Sequence, residues 1–214
     1  MHTLAHHFFA MAANNAWANH RLLDACARLT QEDFEAARTS FFPSIKATLN
    51  HIVTVDWYYV DALERALRRQ PPNTQPGRFF DPEEPFATCA ALSAEQHAVD
   101  QRLLVACESL NDPQTSDSVA ITRLSSALRA SEPIRARERP FALMRSTGVE
   151  VESIARLLAH LFQHQIHHRG QVHAMLAGTP VAPPQLDEFF CANEAHLRAR
   201  ELAEIGLSEH AVFA

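Results

Sequence analysis

The sequence predicts an all-α fold: a four-helix bundle with a long crossover connection and one additional C-terminal helix. Three observations lead there. Glycine occurs only 5 times in 214 residues, and the long segments are rich in Ala, Leu, Arg and Glu, which favour helix strongly. Apolar residues in those segments recur near 3.6-residue spacing. Between the segments stand Pro71-Pro72, Asn111-Asp112-Pro113 and Gly178-Thr179-Pro180, clusters that interrupt helical hydrogen bonding.

The first helix is predicted from about residue 3 to 29, with Leu4, Phe8, Met11, Ala12, Trp17, Leu22 and Ala25 on one face. The second begins after Phe42-Pro43-Ser44, where Ser44 or Pro43 supplies start chemistry, and runs to about residue 69. Residues 73–85 read as a loop from their Pro, Gly and Asn content. A third helix covers about 87–110, with Leu92, His97, Leu103, Leu104 and Cys107 inward. From Gln114 to Gly148 the helical period is lost, which predicts a long connection with short extended pieces around Val119-Ala120-Ile121 and Pro133-Ile134. A fourth helix spans about 150–177, and a fifth about 186–205. There is no internal repeat, so residues 1–214 read as one domain.

A net charge of −6 and a pI near 6.1 argue against a nucleic-acid partner, which requires a basic face to displace counterions. Arg129, Arg135, Arg137, Arg139 and Arg145 do gather, but Glu132 and Glu138 interrupt them, as in a solvated loop. The start has no basic segment followed by an apolar one, and no apolar run approaches the ~20 residues of a membrane span. A cytoplasmic protein with no membrane contact is the expectation. Cys26, Cys89, Cys107 and Cys191 are widely spaced, with no Cys-x-x-Cys pair, and read as reduced core thiols.

The chemistry concentrates between His160 and His173, where His160, His164, His167, His168 and His173 fall within fourteen residues. On a wheel of ~100° per residue with His160 at zero, His164 lies at ~40° and His168 at ~80°. Leu157 and Met175 fall at ~60°, Leu161 at ~100°, Ile154 and Val172 at ~120°. His164 and His168 therefore share the apolar stripe, while His160 and His167 lie at its edge. A lone inward histidine is most simply a core residue satisfied by a carbonyl. Two on one stripe, four apart, must both find partners, and one metal ion satisfies both.

A catalytic metal site needs a third protein ligand and an open position. His51 is the candidate, because it lies near the start of the second helix among apolar neighbours. Its stripe, with Thr48, Val55, Tyr58 and Ala62, is secondary to that of Ile45, Leu49, Ile52, Val60 and Leu63, so periodicity permits His51 without singling it out. Asp56 lies within the main stripe and needs a cation or several donors. Arg169 and Arg21 are candidates for a structural ion pair, the simpler reading; alternatively Asp56 orients a ligand imidazole from behind.

Together these segments resemble the DinB family of the DinB/YfiT-like superfamily. The resemblance rests on Asn15-Ala16-Trp17-Ala18-Asn19-His20-Arg21-Leu22-Leu23, Ser40-Phe41-Phe42-Pro43-Ser44-Ile45, Leu49-Asn50-His51-Ile52, Asp56-Trp57, His164-Gln165-Ile166-His167-His168-Arg169-Gly170-Gln171-Val172 and Pro183-Pro184-Gln185-Leu186-Asp187-Glu188-Phe189. It covers nearly the whole chain, least well between Gln114 and Gly148. It implies a four-helix bundle, commonly a homodimer, with a divalent metal such as nickel or zinc held by His51, His164 and His168. The family name records induction by DNA damage, which says when a gene is switched on. Characterised relatives in the wider superfamily include metal-dependent S-transferases and isomerases that use low-molecular-weight thiols such as bacillithiol, mycothiol or glutathione.

Two functions follow as expectations. One is an enzyme whose three-histidine metal activates a thiol or a water, in S-transferase-like or hydrolase-like chemistry on a small molecule, with Tyr58, Tyr59, Asp56 or a spare histidine moving protons. The other is a non-catalytic metal-binding stress-response protein. A di-iron site is disfavoured, since it would need inward carboxylates and the fourth helix has none between Ile154 and Leu176.

Overall fold

A computed structural model describes residues 3–126, 144–186 and 192–213. Helix dominates. Seven α-helices are present among the described residues: α1 Leu4–Cys26, α2 Gln31–Glu35, α3 Ile45–Leu67, α4 Cys89–Glu108, α5 Ile154–Leu176, α6 Ala195–Glu204 and α7 Glu209–Phe213. The four long ones, α1, α3, α4 and α5, match the first four predicted helices. Two strands, β1 Ser118–Ser126 and β2 Met144–Ser153, lie between α4 and α5.

Side-chain caps set the starts. Thr3 accepts from the His6 amide, Ser44 from Ala47, Thr88 from Ala91 and Ser153 from Arg156, each satisfying an amide with no partner inside its own helix. Ser44, not Pro43, is the start residue of α3. The Ser153 cap also corrects the predicted start of the fourth helix, because residues 150–153 belong to β2. Of the predicted fifth helix, the described residues show α6, entered through a 3-10 turn at Ala192–Glu194, and residues 187–191 lie outside them. The short helices α2 and α7 have no counterpart in the sequence-based expectation, being too brief for a periodic signal.

Helix α1 packs against α4 and α5, and α3 packs against the same two, so the four long helices form a closed circuit. Their apolar faces build two core clusters. One holds Phe8, Trp17, Val53, Leu63, Leu103, Leu158 and Leu161; the other holds Leu22, Phe34, Ile45, Leu49, Ile52, Leu92, Val172 and Leu176. Both predicted stripes of α3 are buried except for the half-buried His51, because α3 meets two long neighbours. Leu4 is an exception on α1, at 46% exposed. His97 is exposed rather than inward; the buried stripe of α4 runs through Leu92, Gln96, Val99, Asp100 and Leu103. The error came from leaving polar residues out of the stripe.

The connection after α4 is more ordered than the expected short extended pieces. β1 and β2 form an antiparallel ladder from Ser118 opposite Ser153 to Ser126 opposite Met144, with an irregularity after Arg123. Gly148, opposite Arg123, has φ +125°, a conformation open to glycine and strained for other residues. The ladder lies against the C-terminal half of α3, where the Tyr58 hydroxyl donates to the Thr122 carbonyl at 2.7 Å. The basic run from Arg129 to Arg139 and the extended piece expected at Pro133-Ile134 lie outside the described residues, as does Cys191. Among the other cysteines, Cys26 and Cys107 are buried and Cys89 is half-buried, all as free thiols. No helix among the described residues is long and apolar enough to cross a membrane.

At the end of α3, Arg69 takes φ 54°, while its amide bonds the Ala66 carbonyl and the Gln70 amide bonds that of Arg65. This is a helix-terminating motif that normally uses glycine. A side chain in the left-handed region costs roughly 1–2 kcal/mol. Arg69→Gly is expected to stabilise the protein by about 1 kcal/mol, a gain of ~2–4 °C in melting temperature by thermal denaturation.

Candidate metal centre

His51 stands two turns into α3, and His164 and His168 are one turn apart on α5. Since α3 and α5 pack side by side, the three rings meet across a single helix–helix seam. One ligand-capable atom from each lies within 4.8 Å of those of the other two. His51 Nε2 is 3.1 Å from His164 Nε2. Three nitrogens each ~2.0–2.1 Å from one tetrahedral ion would stand about 3.3 Å apart, so modest side-chain adjustment would let the cluster share an ion.

The protonation states suit ligation. Burial, followed by the nearby His164 and His168, pushes the His51 imidazole down to about 2. Burial, then His168 and His160, pushes His164 down to about 3. His168 is also lowered by burial, against a bond to Gln171 that favours its charged form. Neutral imidazoles offer a lone pair without first losing a proton. For His168 the geometry selects the atom: its Nδ1 lies 2.9 Å from Gln171 Oε1, an acceptor, so Nδ1 carries the hydrogen and Nε2 is left free. His164 Nδ1 is buried without a hydrogen-bond partner among the described residues. Such an unsatisfied atom is costly in a packed core.

Aromatic rings flank the cluster. Buried Phe42 closes one side, its ring 4.4 Å from that of His51 and 5.6 Å from that of His168. Phe41 stacks edge-on against Phe42 and is 58% exposed. Half-buried Tyr59 meets His160 edge-on at 5.2 Å, and His160 is 6.3 Å from His164. His160 and His167 are exposed, as their wheel positions imply. The Tyr58 hydroxyl is committed to the Thr122 carbonyl of β1. Sequence reasoning assigned no role to Phe42; its place just before the α3 cap was the available signal.

Asp56 has neither of the expected guanidinium partners. Its Oδ2 accepts from Gln96 Nε2 at 2.8 Å and from Gln165 Nε2, while Oδ1 is buried with no partner among the described residues. Arg169 instead donates to Asn15, Asn19 and Gln165, and Arg21 pairs with Glu201. Asp100 accepts from Asn15, Asn19 and Gln96. Arg169 bonds neither buried carboxylate, though its charge acts on both through space. Burial and then Asp100 push Asp56 up to about 7, and burial pushes Asp100 up to about 6.

A helical chain whose two neighbouring helices converge three neutral histidines is, by class, a candidate metalloprotein. The chain belongs to the DinB family, whose sequence model matches residues 1–201. No curated protein matches it.

A pH signature follows from Asp56. Its proton is held more tightly in the folded than in the unfolded chain, so this contribution is complete below about pH 4 and is lost as pH rises towards 7. In urea titrations, the stability difference between wild type and Asp56→Asn should therefore shift against wild type across that window. A difference independent of pH would show that Asp56 does not titrate there.

Proposed function

We propose that His51, His164 and His168 bind one divalent transition ion, nickel or zinc, and that the protein is a metal-dependent enzyme acting on a small molecule. The observation that carries this reading is the convergence of three neutral imidazoles within 4.8 Å. Membership of the DinB family supports it. In this reading α1, α3, α4 and α5 form a four-helix bundle, residues 1–214 are one domain, and the protein is a cytoplasmic homodimer.

When bound, such an ion supplies Lewis acidity that lowers the pKa of a coordinated thiol or water. A low-molecular-weight thiol is the favoured substrate, by analogy with the wider superfamily. The chain's own residues supply the rest. Phe42 excludes water behind His51 and His168, and Gln171 holds the His168 ring in the ligating tautomer. His160 flanks His164 and Tyr59 meets His160, and these are the groups assigned to take up a proton released by a substrate thiol.

Metal analysis of protein purified without a polyhistidine tag is expected to return close to one ion per chain, and His51→Ala or His168→Ala to lose most of it. Free ion at 100 times its dissociation constant should stabilise wild type by about 2.7 kcal/mol, with little effect on either variant. Metal-loaded wild type should accelerate conjugation of a thiol to monochlorobimane more than His168→Ala does. Equal rates from both proteins would remove the enzyme reading for thiol transfer.

A further inference from the structure

The helix that carries His164 and His168 also carries Gln165 and Arg169, one residue further along at each place. The second pair faces the interior: Gln165 is 0% exposed and Arg169 5%. The two pairs are rigidly coupled, because a turn or slide of α5 that moves one moves the other. Helix α3 likewise carries both His51 and Asp56. The α3–α5 seam is therefore crossed at two places, where His51 meets His164 and where Gln165 donates to Asp56.

Apolar packing alone is a weak guard of this register, since cores accept sliding and repacking before they lose stability. A directional bond inside the core is stricter. A side-chain tip ~5–6 Å from a helix axis moves about 1 Å for a rotation of roughly 10°, whereas metal–ligand distances tolerate only about 0.2 Å. Arg169 ties α5 also to Asn15 and Asn19 on α1, and Gln96 of α4 donates to Asp56 on α3 and to Asp100 on its own helix.

We infer that Asp56 and Gln165 are positioning residues for the metal centre: their buried bond sets the rotation of α5 against α3 at which the three imidazoles share one ion. The inference rests on the metal-binding reading. Neither residue touches the ion; both act through the helices that carry the ligands. Asparagine at position 56 retains a carbonyl oxygen that accepts from both Gln96 and Gln165. Leucine at 56 leaves both amides without that acceptor, and methionine at 165 removes the donor at nearly equal volume.

The test measures Zn²⁺ affinity by chelator competition and the visible absorption of the Co²⁺-loaded protein, with circular dichroism and melting of each metal-free variant beside them. Asp56→Leu and Gln165→Met are expected to weaken Zn²⁺ binding by about 10–100-fold, as loss of supporting groups behind ligands commonly does, and to alter the Co²⁺ bands. Asp56→Asn is expected to keep wild-type affinity and spectrum. Where Asp56→Leu does not fold, the comparison of Gln165→Met with Asp56→Asn decides. Folded Gln165→Met protein with wild-type Zn²⁺ affinity and Co²⁺ bands would overturn the inference while leaving the metal site standing. A wild type that takes up no ion would overturn both.

Discussion

One buried polar layer governs the interior of this protein. Asn15 and Asn19 of α1, Asp56 of α3, Gln96 and Asp100 of α4, and Gln165 and Arg169 of α5 are all buried and joined by hydrogen bonds. Ionised groups are tolerated in a core only with partners, and removing one partner from a buried pair costs about 3–5 kcal/mol. Each long helix contributes to the layer and depends on the others for satisfaction. Where it crosses, the apolar core divides into two clusters. Leucines and valines would pack in several rotations; amides and carboxylates bond in far fewer.

The charge balance of the layer has its own consequence. Two carboxylates face one guanidinium, and burial disfavours charge on all three. Burial pushes Arg169 down to about 10, although Asp100 and Asp56 oppose the shift, while both acids move upward. At the α3–α5 seam, burial moves the histidines the other way, downward, and there too it favours the neutral form. A neutral imidazole is a ligand, whereas a neutral buried carboxyl is a hydrogen-bonding strut. The same physical cause thus assigns different work to two sets of residues on the same pair of helices.

Much of this was legible in the chain. Periodicity located the four long helices, and wheel positions separated His164 and His168 from the exposed His160 and His167. His51 was the candidate from its place near the start of the second helix among apolar neighbours, was permitted by its stripe, and was the ligand that the family resemblance also implied. What escaped was polar burial. The expected stripe of α4 ran through His97 and did not include the buried Gln96 and Asp100, and that of α5 did not include the buried Gln165. A hydropathy pattern assigns polar side chains to water, and only a partner from another helix reverses that. The β1–β2 ladder escaped differently: its pairing joins residues up to 35 apart in sequence, and no local window contains both strands.

Sequence alone determined what is local: which segments are helical, which residues share a face, and that two histidines four apart project together, because backbone geometry repeats every few residues. Tertiary structure decided which faces meet. It placed His51 against His164, set Phe42 over the rings, gave Asp56 two amides in place of a guanidinium, and paired β1 with β2. Those outcomes depend on how helices and strands distant in sequence pack, where burial changes the energetic cost of every polar group.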